Sequence, residues 1–149
     1  VVVDDIGVVG QITHDYPWAS EVTLITDKDH SVPVQVVRNG LRSVISGTGK
    51  DAMLELRYLA INTDIQEGDS LVTSGIDGVY PPGLPVAVVS KIERNSTYVF
   101  ARVTCTPVAR VDHNRQLLIL STLTPVTEIP EAAFELKPES RKREKGVVR

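Results

Sequence analysis

The strongest constraint on the fold is the supply of aliphatic side chains branched at Cβ, 23 Val and 10 Ile among 149 residues. Such side chains are stiff in a helix and pack well on a pleated sheet. They stand in short runs of at most four apolar residues, separated by stretches with Gly, Pro, Asp or Asn that turn the chain. Because no window keeps a helical apolar period and no run is long enough to span a membrane, the sequence predicts an all-β protein.

The clearest local signal is the dipeptide Asn39-Gly40 between two runs of alternating apolar and polar residues, 34–38 and 41–45. Asn-Gly favours a two-residue type I′ turn, because both residues accept a positive φ. The sequence therefore predicts a hairpin in which Val36 pairs with Ser43. The same alternation places four apolar side chains on one buried face: Val34, Val36, Leu41 and Ile45.

A weak internal repeat relates residues 9–13 to residues 86–90, and each copy is followed by a polar turn and a second apolar run. Short strands at close spacing usually form barrels or sandwiches, since closure removes exposed edges, and two related small barrels fit both the repeat and the length. The sequence thus predicts two small six-stranded barrels. Residues 1–32 together with 93–120 form the first and residues 33–92 form the second, whereas residues 121–149, with few large apolar side chains, are expected to be a disordered tail.

The net charge of −3 is unevenly distributed along the chain. Residues 1–120 hold 10 basic and 14 acidic side chains, and residues 121–149 hold 6 basic and 5 acidic ones. An acidic body argues against nucleic acid as a partner, because that affinity depends on Lys and Arg that neutralise phosphates. The single cysteine, Cys105, lies in an alternating run and is expected to be a buried thiol.

Gly68-Asp69-Ser70-Leu71 spells the motif of a family of serine hydrolases. The other parts of a hydrolase site do not accompany it. That family places an Asp-x-x-His near the C-terminus, and here the only one, Asp27 to His30, lies upstream of the serine. His14 or His30 could nominally start the triad of a chymotrypsin-like protease, but Leu71-Val72 replaces the glycines that form its oxyanion hole. The motif is better explained as a turn that opens a strand. A degenerate or active serine hydrolase is the alternative to a non-catalytic protein.

Two further motifs fail as binding sites for small ligands. Residues 46–51 look like a phosphate-binding loop, but position 44 is not Gly and position 51 is not Ser or Thr. Asp27, Asp29 and His30 lack the third acidic ligand and the Gly of a calcium loop, and no Cys lies nearby. We therefore expect no metal and no cofactor.

Two segments carry large apolar side chains among residues that form surface turns. In residues 74–85, three Pro stiffen the chain, so docking on a partner would cost little conformational entropy. Residues 16–18, Tyr-Pro-Trp, form a second such tip. We expect these segments to contact another protein, and the alternative is that the first one covers the mouth of a barrel. The candidate protein-binding residues are Ile76, Val79, Tyr80, Leu84, Tyr16 and Trp18.

A series of short motifs follows one another along the chain in a fixed order. In chain order they include Gly7-Val8-Val9-Gly10-Gln11-Ile12, Leu24-Ile25-Thr26-Asp27, Val32-Pro33-Val34-Gln35-Val36, Arg38-Asn39-Gly40, Gly47-Thr48-Gly49, Gly68-Asp69, Thr73-Ser74-Gly75 and Tyr80-Pro81-Pro82-Gly83-Leu84-Pro85-Val86. Over about residues 3–120 this ordered series resembles the rod shape-determining MreC family. Two positions depart from the family pattern: Tyr80 stands where Phe is common, and Ala87 where Gly is usual.

The resemblance implies barrels of trypsin-like topology without a catalytic triad, in a non-catalytic scaffold of the bacterial cell-elongation machinery. It implies that the scaffold binds and regulates a class B penicillin-binding protein, the elongation transpeptidase, and associates with itself and with membrane proteins such as MreD and RodA. It also implies a position on the periplasmic face of the inner membrane, with a single-pass N-terminal helix and a coiled coil outside this sequence. No nucleic acid is expected as a partner.

Overall fold

The computed structural model describes residues 1–121, and their regular structure consists of strands. Residues 122–149, which make up nearly all of the predicted tail, lie outside the described part. No helix in the described range is long and apolar enough to cross a membrane. The strands, in chain order, are β1 (Val2–Val3), β2 (Val8–Asp15), β3 (Ser20–Leu24), β4 (Ser31–Val36), β5 (Arg42–Gly47), β6 (Leu54–Ala60), β7 (Ser70–Thr73), β8 (Pro85–Glu93), β9 (Phe100–Pro107) and β10 (Leu118–Ile119).

Six of the strands close into an antiparallel barrel in the order β4-β5-β6-β9-β8-β7. Side chains of β4, β7 and β9 alternate between the interior and the outside, as the two-residue period of a strand requires, whereas bulges interrupt the alternation in β6 and β8. The closed barrel leaves none of its six strands with an unpaired edge. These findings confirm the predicted all-β class and one closed six-stranded barrel, whereas the strands expected to form the other barrel make an open four-stranded sheet. Fully buried interior residues include Val34, Val36, Ile45, Leu54, Leu56, Leu71, Val86, Val89, Val103 and Cys105.

The other strands form a four-stranded sheet in the order β10-β1-β2-β3, so β10 and β3 are its edges. Val3, Val8 and Ile25 belong to the same hydrophobic cluster as the barrel interior, which packs this sheet against the barrel. On the other side, Val2, Val9 and Ala109 form a small cluster of their own. The chain therefore has one main core that both parts share.

Strand β9 belongs to the closed barrel, whereas the predicted division into two barrels placed it with residues 1–32. That division assigned residues 93–120 to the first barrel. Instead, β9 pairs with β6 on one side and β8 on the other. Residues 33–92 supply most of five strands, and without β9 the edges of β6 and β8 would stay unpaired. Strand β10 does pair with β1, as the division required.

The Asn39-Gly40 hairpin forms, but its register is shifted by two residues from the predicted one. Val34, not Val36, pairs with Ser43. The connection is longer than two residues, because the N–H of Gly40 donates to the carbonyl of Val36 and only Gly40 of the dipeptide has a positive φ. A shift by two preserves which face is buried. The predicted core face, with Val34, Val36 and Ile45 buried and Leu41 packed against the core, is therefore confirmed.

Candidate functional site

Residues 74–84, which connect β7 to β8, are held by hydrogen bonds within the loop. A carboxylate oxygen of Asp77 accepts the N–H groups of Val79 and Tyr80 at 3.1 and 3.2 Å. The hydroxyl of Thr73 donates to the carbonyl of Pro81 at 2.5 Å and accepts the N–H of Leu84 at 2.9 Å. These contacts fix the loop on the end of the barrel where β7 ends and β8 begins.

Tyr80 is an interior residue of this loop and not a surface anchor. Its side chain is 2% exposed and belongs to the main core, and its hydroxyl lies 2.6 Å from Nε2 of His30. Burial raises the pKa of the Tyr80 phenol, so the hydroxyl keeps its proton. Burial also lowers the pKa of His30, against the opposing effect of Asp27, which favours the neutral imidazole, and the tautomer of that ring sets which of the two groups donates. The prediction that Tyr80 is presented to a partner is therefore replaced by the barrel-plug alternative.

The other predicted contact residues are placed in two separate groups. Ile76 is 67% exposed and Val79 is 37% exposed on the 74–84 loop, whereas Leu84 is partly buried and packs against the core. Tyr16 and Trp18 lie at the tip between β2 and β3, where Trp18 is 98% exposed. Their role in binding a protein stays a prediction.

The serine hydrolase motif lies in a turn that the structure uses for other contacts. Asp69 accepts two hydrogen bonds from the guanidinium of Arg38, at 2.9 and 3.0 Å, and one from the N–H of Gln66. His30 is engaged by Tyr80. Among the hydrogen bonds of residues 1–121, none joins a histidine to Ser70. These hydrogen bonds stabilise the turn before β7, as predicted for a motif that forms a turn and opens a strand.

The acidic segment before β4 is likewise a turn. A carboxylate oxygen of Asp27 accepts the N–H of Asp29 at 2.9 Å, and the carbonyl of Asp27 accepts the N–H of His30. Within residues 1–121, no three His, Cys, Asp or Glu side chains are grouped so that they could hold a metal ion. Burial raises the pKa of the Cys105 thiol to about 12, so this buried sulfur stays protonated near neutral pH.

An open groove runs across β6, β8 and β9, and it was not predicted from the sequence. Its volume is about 1060 Å³. Tyr58 is 75% exposed there, and its ring meets Phe100 edge to face, with centroids 5.9 Å apart and an interplanar angle of 84°. Tyr98 and Val99 add two more exposed apolar side chains. We call this surface the aromatic groove, and its lining also includes Glu55, Arg57, Glu93, Arg94 and Arg102.

A bulge in β6 places Tyr58 on the outside of the barrel. Leu56 pairs with Val103 and Leu59 with Ala101, so two residues of β6 face one residue of β9. Tyr58 has a φ of 60°, in the left-handed region that costs a residue with a side chain about 1–2 kcal/mol. The strained residue displays an aromatic ring to solvent, and such strain is concentrated at functional sites.

The charges around the aromatic groove are only partly compensated within the chain. Arg102 lies 3.4 Å from Glu55, and Glu93 lies 2.5 Å from Lys91. The hydrogen bond from Lys91 is the main cause that lowers the pKa of Glu93. Arg94 donates to the carbonyls of Thr63 and Ile65, which do not neutralise its charge. In the described part of the chain Arg57 forms no ion pair, so the groove keeps an excess of positive charge.

Two local signals in the sequence point to this groove in retrospect. From Leu54 the pattern alternates, but Tyr58 and Leu59 are adjacent large apolar residues, which a regular strand cannot both bury. Tyr98-Val99-Phe100 is a run of three large apolar residues with the same consequence. Neither signal shows that the two segments are neighbours, because paired residues of β6 and β9, from Ala60–Phe100 to Leu54–Cys105, are 40 to 51 residues apart in the sequence.

The aromatic groove and the 74–84 loop lie at opposite ends of the barrel. The loop enters β8 at Pro85, whereas the groove is lined by Glu93 at the other end of the same strand. Nine residues at about 3.4 Å each separate the two surfaces by roughly 30 Å. They are therefore two distinct surfaces, and one small contact cannot include both.

Comparison with known proteins assigns this fold to a described group. Residues 1–121 match the family described as "Rod shape-determining protein MreC, barrel core". The cell shape-determining protein MreC of Haemophilus influenzae is 44% identical over 119 residues, which are 80% of this chain and 34% of that protein. The chain thus spans about a third of the length of this curated relative.

Solved structures show the same architecture. The crystal structure of MreC from Pseudomonas aeruginosa superposes with a TM-score of 0.76 at 45% identity and covers 80% of this chain and 77% of that one. A structure described as a complex between penicillin-binding protein PBP2 and MreC from Helicobacter pylori matches with a TM-score of 0.63 at 23% identity, over 78% of this chain and 73% of that chain. At that identity the second match supports the fold alone.

Proposed function

The chain belongs to the MreC family of rod shape-determining proteins, and from this premise we propose that it is a non-catalytic scaffold of the cell-elongation machinery whose barrel binds a class B penicillin-binding transpeptidase. The proposal places the scaffold on the periplasmic face of the inner membrane, where such a transpeptidase works. Its support is the family and the description of the Helicobacter pylori relative as a complex with PBP2.

The observation that carries the proposal is the exposed pair Tyr58 and Phe100 in the aromatic groove. Tyr, Trp and Arg are enriched among the few residues that carry most of the binding energy in protein interfaces, and aromatic rings bury a large area with few rotatable bonds. The groove combines four apolar side chains with three Arg. We propose this surface, rather than the 74–84 loop, as the one that contacts the transpeptidase.

The distance between the two surfaces suits a scaffold that holds more than one partner at once. A transpeptidase in the aromatic groove would leave Ile76 and Val79, roughly 30 Å away along β8, accessible to a second protein. We propose the 74–84 loop, together with Tyr16 and Trp18, for self-association or for contact with elongation proteins such as MreD and RodA. The sheet edge at β3 is close to the Tyr16–Trp18 tip and can contribute to such a contact.

The experiment that tests the groove is the affinity of the purified periplasmic part of the transpeptidase for the chain and for two matched variants, by isothermal titration calorimetry. Tyr58→Asn removes the ring but keeps a residue that tolerates positive φ, so folding should not suffer. We expect at least about a tenfold weaker Kd, as for loss of an interface anchor worth 1.4 kcal/mol or more.

The control is Ile76→Asn, at a residue of similar exposure at the other end of the barrel. It should leave the Kd within about twofold of the wild-type value. The reverse pattern, with affinity lost in Ile76→Asn and kept in Tyr58→Asn, would assign the transpeptidase to the loop. The hydrolase alternative is tested separately with a serine-directed covalent probe, and labelling of Ser70 would support it.

A further inference from the structure

The charges that line the aromatic groove indicate which charges its occupant carries, in addition to apolar side chains. Residues 1–120 hold 10 basic side chains against 14 acidic ones, yet three of the ten, Arg57, Arg94 and Arg102, line this one groove with only two Glu. Arg102 is compensated by Glu55, whereas Arg57 and Arg94 form no ion pair in the described part of the chain, although Asp64 lies near enough to Arg94 for their charges to attract each other. An occupant that combines large apolar side chains with uncompensated carboxylates would therefore fit it best.

A segment of this chain outside the described residues has that composition. Residues 128–136, Glu-Ile-Pro-Glu-Ala-Ala-Phe-Glu-Leu, contain three Glu and no Lys or Arg. Phe134, one of only two Phe in the chain, lies among them, with Ile129 and Leu136 on either side. All six basic residues of the region that follows the barrel lie after this segment, from Lys137 onwards. The segment is thus complementary to the groove in both polarity and charge.

The chain is long enough to bring this segment to its own groove. Ser121 follows β10, in the sheet whose β1–β2 connection lies, at Gly7, against Val108 just after the end of β9, and the groove lies where β9 begins. Eight residues of β9 span about 27 Å. The 13 peptide links from Ser121 to Phe134 reach at most about 43–47 Å when extended. A path over the barrel surface is therefore possible without strain.

We propose that residues 128–136 bind the aromatic groove of the same chain and compete there with the transpeptidase. The competition rests on the proposed function, whereas the intrachain contact does not. A short tether gives the segment an effective concentration on the order of 1 mM. If the bare segment binds with a Kd of about 0.1–1 mM, the groove is occupied roughly half to nine-tenths of the time, and transpeptidase affinity is lowered about two- to tenfold.

The direct test is site-specific photocrosslinking in the full chain, with p-benzoylphenylalanine replacing Phe134 and mass spectrometry of the products. We expect intrachain crosslinks to peptides that contain Tyr58 or residues 98–100. The matched control carries the photoreactive residue at Val147, in the basic region, and should not label the groove. No groove crosslink from position 134, or equal labelling from both positions, would overturn the proposal. Crosslinks at the groove between two chains would assign the occupant to a second copy and would also overturn it.

A second measurement tests the intrachain contact separately from the proposal that the transpeptidase binds the aromatic groove. Glu128→Gln, Glu131→Gln and Glu135→Gln together remove the charge complementarity and leave residues 1–121 unchanged. The groove crosslinks from position 134 should fall severalfold in this variant, and an undiminished yield would contradict the role of charge. Transpeptidase affinity should rise about two- to tenfold. If the crosslinks behave as expected but the transpeptidase affinity is unchanged, the intrachain contact stands and the competition is refuted.

Discussion

Replacement of Tyr80 by Ala and by Phe separates two contributions to the stability of the barrel. Tyr80 is 2% exposed in the main core, so Tyr80→Ala leaves a cavity of aromatic size. Such truncations cost about 3–5 kcal/mol in the free energy of unfolding. Tyr80→Phe keeps the ring and removes only the hydroxyl that lies 2.6 Å from His30. Because the imidazole is only half-buried, water can replace part of this bond, and we expect a cost of about 1 kcal/mol.

The measurement is urea unfolding followed by far-ultraviolet circular dichroism, with Tyr98→Ala as the control at an exposed tyrosine. The control should stay within about 0.5 kcal/mol of the wild-type protein. The folded fraction of Tyr80→Ala should keep its affinity for the transpeptidase, since the side chain reaches no surface. A Tyr80→Ala protein as stable as the control, with weakened binding, would refute the plug and restore Tyr80 as an interface residue.

Three further predictions concern stability. Because burial lowers the pKa of His30 below its usual 6.5, the unfolded chain binds the proton first as the pH falls. The free energy of unfolding should therefore decrease from about pH 6.5 downwards, and pH-dependent urea titrations of His30→Gln should show a flatter curve. The hydrogen bond from Arg38 lowers the pKa of Asp69, so Asp69→Asn should reduce the melting temperature at pH 7, with a gap to wild type that closes as the pH falls below about 4. In Gly47→Ala the new Cβ would lie 2.2 Å from backbone atoms of Thr26 and Asp27, so calorimetry should show a loss of about 1–3 kcal/mol, and an unchanged melting temperature would contradict this packing.

The alternation of apolar and polar residues predicted which face of each hairpin strand is buried, because the buried face of a strand depends on the local sequence alone. Val34, Val36 and Ile45 are buried as predicted, although the hairpin register is shifted by two. The turn is longer because its side chains have distant partners. Arg38 bonds to Asp69, and Asn39 donates to the carbonyl of Asp64, 25 residues further along the chain. The preference of Asn-Gly for a two-residue turn is a local property, so it cannot predict the effect of contacts with distant residues.

The candidate site was harder to predict, because its residues meet only through long-range pairing. Tyr80 on a turn-rich loop is compatible with a plug and with an anchor, and only the contact with His30, 50 residues away, decides between them. Tyr58 and Phe100 become neighbours through β6 and β9, and the bulge that turns Tyr58 outward depends on that same pairing. Both features are visible in the sequence only as interruptions of an alternating pattern.

The most direct test of the account is a hydrogen–deuterium exchange footprint of the chain with and without the periplasmic part of the transpeptidase. The account predicts slower amide exchange in the peptides that cover the β6 bulge and residues 94–100, and no change in residues 74–84. Protection confined to residues 74–84, with the aromatic groove exchanging as fast as in the free chain, would contradict it.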